Sequence, residues 1–158
     1  MGDRFHQVSE RQLEQLARRL AYGSNNEAAT TAVIELMLLG GSLATAWGLP
    51  PVTQWAFEHP VDGGRIDVVL AHEDGSATLV EAKGDIEACE IARGIGQLHY
   101  YAVVFGRPAR LVLCSSAPVG KAFRAIQACA RAGVQYGFLP SYDETRIYTA
   151  SLRDGCVK

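Results

Sequence analysis

Apolar residues recur at helical spacing in the first third of the chain and fall into short extended runs in the middle. Leu13, Leu16, Ala17 and Leu20 return every three or four residues with Arg and Glu between them, which predicts an amphipathic helix over residues 9–22. Gly23 ends it. Ser24 precedes Glu27 by three residues, the spacing of a capping box, and opens a second, strongly apolar helix that runs to Leu39. Gly40-Gly41 interrupts that helix, and residues 42–47 read as its continuation beyond a kink.

Pro50-Pro51 forces extended backbone into residues 52–60, the first of three expected strands. The other two, 65–71 and 77–83, are joined through Glu73-Asp74-Gly75. A helix over 86–105, an apolar strand over 111–115, a helix over 119–132 and closing strands over 136–139 and 146–152 complete the series. A meander followed by helical crossovers implies an α/β fold with a mixed β-sheet core flanked by α-helices. Residues 1–48 then form a mainly helical N-terminal part and 52–152 the sheet with its helices. The 158 residues are expected to make one domain.

Composition narrows this picture only a little. A hydrophobic fraction of 48% and a charged fraction of 20% are ordinary for a soluble globular protein. No apolar run reaches the roughly 18 residues of a membrane span. The N-terminal Met-Gly-Asp-Arg-Phe-His has no hydrophobic signal region, so the expected location is the cytoplasm, with no membrane partner. Cys89, Cys114, Cys129 and Cys156 show no Cys-x-x-Cys spacing and are expected as reduced core thiols. His59, His72 and His99 likewise lack ligand spacing, and Trp47 and Trp55 read as packing residues. The net charge of −2 offers no bulk attraction to a polyanion.

The hairpin over 65–83 carries the candidate chemistry. If Glu73-Asp74-Gly75 is a three-residue loop with Gly75 left-handed, His72 pairs with Ser76 and the register brings Asp67 opposite Glu81. Directly opposed residues share a face, with Cβ atoms about 4.5–5.5 Å apart. Lys83 follows two residues later on that face. Two facing carboxylates repel, and a hard divalent cation between them would reverse the sign. Ala77 and Leu79 precede Glu81, so the charges extend an apolar face. One alternative is an exposed edge hairpin with a surface Glu81–Lys83 pair; another, a two-residue Asp74-Gly75 turn, would put Asp67 and Glu81 on opposite faces.

Gly64-Arg65-Ile66-Asp67 followed by Val80-Glu81-Ala82-Lys83 resembles the PD-(D/E)XK nuclease superfamily of restriction-endonuclease-like folds. Gln97-Leu98-His99-Tyr100-Tyr101 resembles the Gln-x-x-x-Tyr motif of its RecB-like members. The resemblance spans about residues 52–115, with Ile66 at the position of the family's proline. It implies a nuclease that hydrolyses DNA phosphodiester bonds with Mg²⁺, for which Mn²⁺ could substitute. Asp67, Glu81 and the carbonyl of Ala82 would hold the metal. Lys83 would orient or activate water, and Gln97 and Tyr101 would help place the substrate; read without the resemblance, Tyr101 is a core residue and Gln97 a boundary one.

Many members of the superfamily carry a further acidic ligand on the helix before the meander, and two residues qualify. Glu27 has a structural explanation as the capping partner of Ser24. Glu35 sits among Val33, Ile34, Leu36 and Met37, where an unpaired carboxylate would cost several kcal/mol and needs a metal or an arginine. Glu35 is therefore preferred. Arg93 shares a helix face with Gln97 and Tyr101. With Lys121 and Arg124, which share a face of the 119–132 helix with Arg131, it is a candidate phosphate contact, although a solvated helix face explains these residues equally well. Gly94 and Gly96, unfavourable inside a helix by about 1 kcal/mol each, either permit a close approach or precede the helix. DNA is the implied partner, and a homodimer or larger nucleic-acid-processing complex would be one way to engage both strands. A catalytically inactive module of the same fold, binding nucleic acid or a protein, is the alternative. The joint presence of Asp67, Glu81 and Lys83 weighs against it.

Overall fold

Local capping sets the helix starts of the N-terminal part. The computed structural model describes residues 9–21, 26–84, 86–115 and 121–140. Ser9 opens helix α1 (Glu10–Leu20) through a reciprocal capping box with Gln12. Helix α2 (Glu27–Leu39) is capped by Asn26, whose side chain accepts the Ala28 N–H at 2.8 Å. Glu27 is thus the first residue of α2 rather than the third-position partner of Ser24, which lies outside the described residues. Helix α2 is apolar on most sides because it lies between two layers. Ala32, Val33 and Leu36 meet Leu16 and Leu20 of α1, while Ile34 and Leu38 meet the sheet. Helix α3 (Leu43–Trp47) ends at Gly48, which takes a left-handed φ of 64°.

Among the described residues, five strands form one mixed sheet in the spatial order β1 (Val52–Val61), β2 (Gly64–His72), β3 (Ala77–Lys83), β4 (Arg110–Ser115), β5 (Gln135–Gly137). The first three pair antiparallel and the last two extend the sheet in parallel. Parallel neighbours require crossovers, and these are α4 (Ala88–Phe105) and α5 (Phe123–Arg131). Leu79, Leu111, Leu113 and Tyr136 pack on the α4–α5 side, and Val68, Leu70, Val80, Ala82 and Val112 on the α2–α3 side. All seven residues of β3 are buried because helices cover both of its faces. The fold is α/β, with a mixed sheet flanked by helices.

Several details depart from expectation. Helix α5 begins at Phe123, so Lys121 precedes it and shares no helix face with Arg124. Cys114 and Cys129 are buried but Cys89 is exposed, because it falls in the solvent-facing first turn of α4. Cys156 and the strand expected over 146–152 lie outside the described residues. No helix among the described residues is long and apolar enough to cross a membrane.

The β2–β3 turn follows the three-residue reading. Gly75 donates to the His72 carbonyl and His72 to the Ser76 carbonyl, both at 3.0 Å, with Gly75 at φ 82°. The register then runs Ala71–Ala77, Leu70–Thr78, Val69–Leu79 and Val68–Val80. A side chain at position 75 would have to adopt a left-handed conformation. Gly75→Ala is therefore expected to destabilise the protein by about 1–2 kcal/mol, read as a lower urea midpoint at unchanged m-value.

Candidate active site

The β2–β3 ladder stops one step short of Asp67. On the other side of β2, between the Phe57–Val68 and His59–Ile66 pairs, Glu58 adopts a left-handed φ of 50°, uncommon for a residue with a side chain. The strand alternation breaks at the same place. Val68 faces the α2–α3 core, yet Ile66, two residues away, faces α4. The β1–β2 ribbon bends away from β3 here, and the Asp67 side chain substitutes for the lost strand partner. Its Oδ2 accepts the Ala82 N–H at 2.8 Å. The expected register holds, but Asp67 and Glu81 meet beyond the end of the ladder rather than as a directly opposed pair within it.

Glu81 and Lys83 continue the face on which Leu79 packs against α4, and each is only 3% exposed. The Lys83 Nζ donates to Glu81 Oε1 and to Gln97 Oε1, each at 2.8 Å. Gln97 is delivered by the middle of α4. The second Glu81 oxygen, Oε2, is buried with no hydrogen-bond partner among the described residues. Burial, joined by the nearby charge of Asp67, pushes the Glu81 carboxyl up to about 7 in spite of Lys83. Burial also raises Asp67, opposed by the Ala82 N–H and reinforced by the charge of Glu27. The buried Cys114 thiol is held well above its usual range, first by desolvation and then by these two carboxylates.

Asp67 also lines a cleft of about 530 Å³ between α1, α2 and β1, with Glu27, Thr31, Glu35 and Arg19 among its walls. Glu35 has its partner there. Arg19 donates from Nη1 to Glu35 Oε2 at 2.6 Å and from Nη2 to Thr31 Oγ1 at 2.8 Å. An arginine is one of the two partners that its position was expected to require. Glu27 stands in the first turn of α2, three residues before Thr30, whose hydroxyl reaches the Lys83 carbonyl at 3.4 Å. From that position its charge acts on both Asp67 and Glu81.

The remaining candidates lie elsewhere. Tyr101 is buried in the core with Ile66 and Leu98. Its hydroxyl packs so close to Gly64 that a Cβ there would lie 3.0 Å away. Tyr100 donates to the Asp62 carbonyl at 3.0 Å. Both tyrosines thus brace the β1–β2 turn, and Tyr101 takes a place in the core. Arg93, Lys121 and Arg124 are exposed. His99 ties α4 to the end of α5 through the Ala132 carbonyl at 2.8 Å, and the buried His72 bridges the Pro50 carbonyl and Thr78 Oγ1.

Among the described residues, no three His, Cys, Asp or Glu side chains group closely enough to hold a metal by themselves. The donors that could hold a hard cation here are those the resemblance names, Asp67, Glu81 and the main-chain carbonyl of Ala82. The observation in its favour is Glu81 Oε2, a buried carboxylate oxygen that lacks a donor.

No family model and no curated protein sequence matches the chain. Solved structures similar to it include a repair endonuclease from Pyrococcus abyssi, at 15% identity and TM-score 0.49 over 71% of this chain and 46% of that one. A complex of EndoMS with double-stranded DNA aligns at 16% identity and TM-score 0.47, over 73% and 44% of the two chains. SfsA from Pyrococcus furiosus in complex with Ca²⁺ aligns at 19% identity and TM-score 0.36, over 71% and 54%. The chain spans about half the length of these structures.

The raised carboxyls set the sign of a pH effect. A folded-state pKa of about 7 for Glu81, above its ordinary 4.5, means that the folded state binds the proton more tightly than the unfolded chain. This contribution to stability is complete below pH 4.5 and is lost as the pH rises through 7; Asp67, also raised, adds to it with the same sign. In chelator, unfolding free energy should fall between pH 5 and 8, and Glu81→Gln should flatten that slope in urea titrations.

Proposed function

We propose that this chain is a metal-dependent nuclease of the PD-(D/E)XK type that hydrolyses DNA phosphodiester bonds. The observation that carries the reading is the buried Glu81, tied through one oxygen to Lys83 and left unpartnered at the other, beside Asp67. Desolvating two carboxylates and an ammonium costs the fold several kcal/mol per ion, and packing alone gives no return for it. Asp67, Glu81 and the Ala82 carbonyl would hold Mg²⁺ or Mn²⁺, with Glu27 the further acidic group of the site. The ion, when bound, supplies positive charge to a phosphoryl oxygen and lowers the pKa of water.

The chain's own groups do the rest by position. The Ala82 N–H fixes the Asp67 carboxylate in one orientation. An ammonium has three N–H donors, and Lys83 spends two of them, on Glu81 and Gln97. The third is available to an attacking water or to a non-bridging phosphate oxygen, whose charge grows during in-line displacement. Gln97 holds that ammonium from the helix side. In the RecB-like Gln-x-x-x-Tyr pattern, then, Gln97 serves the site directly and Tyr101 supports the hairpin next to it.

The test is cleavage of linear, circular, single-stranded, flapped and branched DNA in Mg²⁺ or Mn²⁺, stopped by chelator. Asp67→Ala and Lys83→Ala should each lower the rate by about 10²–10³-fold or more. Full activity in both variants would refute the assignment. A second comparison separates the two acids of α2. Glu27→Gln should weaken Mg²⁺ binding by roughly 10–100-fold in calorimetry, and Glu35→Gln by no more than about twofold.

A further inference from the structure

We propose that Gly94 positions Lys83: its missing side chain creates the slot in which the lysine stem lies, an inference that rests on the nuclease reading for its catalytic consequence. Helix α4 carries two interior glycines, both unfavourable for helix formation. They are not equivalent. A Cβ at Gly96 would meet nothing within 4 Å. A Cβ at Gly94 would stand 2.5 Å from Leu113 Cδ1, closer than a packed side chain tolerates, and 3.0 Å from Lys83 Cε, a tight contact that the lysine stem would have to relieve by a few tenths of an ångström.

Gly94 and Gln97 lie three residues apart on one face of α4. The bare backbone at 94 admits the Lys83 stem, and one turn later Gln97 Oε1 receives the ammonium at 2.8 Å. Leu113, the β4 residue beside Glu81 in the ladder, closes the other side of the slot. Lys83 therefore has little freedom to move: helix backbone bounds its stem, and Glu81 and Gln97 hold its head. A methyl group at 94 would push Cε aside by a few tenths of an ångström and so strain the two hydrogen bonds of the ammonium. A displacement of about 1 Å in a reacting group can lower rates by about 10²-fold, and one of a few tenths by a smaller factor, roughly 3–10-fold.

The chain has three lysines, Lys83, Lys121 and Lys158, so lysine-selective ¹³C,¹⁵N labelling gives a spectrum in which Lys83→Met identifies the Lys83 signal. In Gly94→Ala the Lys83 Cε and Nζ resonances should move, and kcat for metal-dependent cleavage should fall by roughly 3–10-fold with KM little changed. Gly96→Ala, an equal gain in helix propensity, should leave both readouts at their wild-type values. Because Gly94→Ala also crowds Leu113, the decisive comparison is Gly94→Ala/Leu113→Ala against Leu113→Ala, in which that crowding is relieved. An unmoved Lys83 resonance in this pair would overturn the inference whether or not the protein cleaves DNA. A moved resonance with kcat within twofold of its parent would overturn the positioning role. Wild-type protein that cleaves no DNA would refute the nuclease reading alone, since the resonance comparison still decides whether Gly94 seats the lysine.

Discussion

A carboxylate on the central strand of a sheet, 3% exposed and covered on both sides by helices, has to be matched by positive charge or by donors. Glu81 is matched on one oxygen only. Lys83 satisfies Oε1, Gln97 steadies the lysine, and Oε2 has no partner among the described residues. Asp67, a second carboxylate, raises the cost further. The neighbouring structure is organised around this charge. Helix α4 approaches closely enough to deliver Gln97 because position 94 has no side chain, and α2 begins where Glu27 acts on both carboxylates.

The second constraint is the interruption of the β1–β2 ribbon. A regular sheet would place Asp67 in the ladder, its side chain alternating with those of its neighbours. Instead Glu58 turns left-handed, Ile66 and Val68 point to opposite cores, and the Asp67 carboxylate caps the Ala82 N–H. Tyr100 and Tyr101 hold the turn of this bent ribbon from α4. The irregularity is local strain placed where two strands separate, and it leaves Asp67 at once bonded to β3 and open to the cleft.

Much of the fold was legible because its signals are local. Pro50-Pro51, the Glu73-Asp74-Gly75 turn and the apolar runs each act within a few residues, and the turn chemistry alone set the correct hairpin register. What escaped were features decided by distant parts of the chain. The bend at Asp67 depends on a φ angle at Glu58 that no residue pattern announces. Glu35 lay near enough to Arg19 for an ion pair only after α1 folded against α2. Gly94 and Gly96 look alike in sequence, and only Lys83 and Leu113, brought in by the sheet, tell them apart. Counting the turn brought Asp67, Glu81 and Lys83 onto one face, and the family resemblance nominated Gln97; Glu27 was a candidate too, but stood behind Glu35 because a capping role already accounted for it.

The account depends on the unpartnered oxygen of Glu81 being a cation ligand. The most direct measurement is a ¹³C-carboxyl NMR titration of the glutamate side chains, with Glu81 identified by substitution, in chelator and then in millimolar Mg²⁺. The account predicts that Glu81 titrates near pH 7 in chelator and that Mg²⁺ shifts its resonance and drives its midpoint down, because the cation binds the ionised form. A Glu81 resonance and midpoint unchanged by Mg²⁺, both with and without DNA, would contradict it.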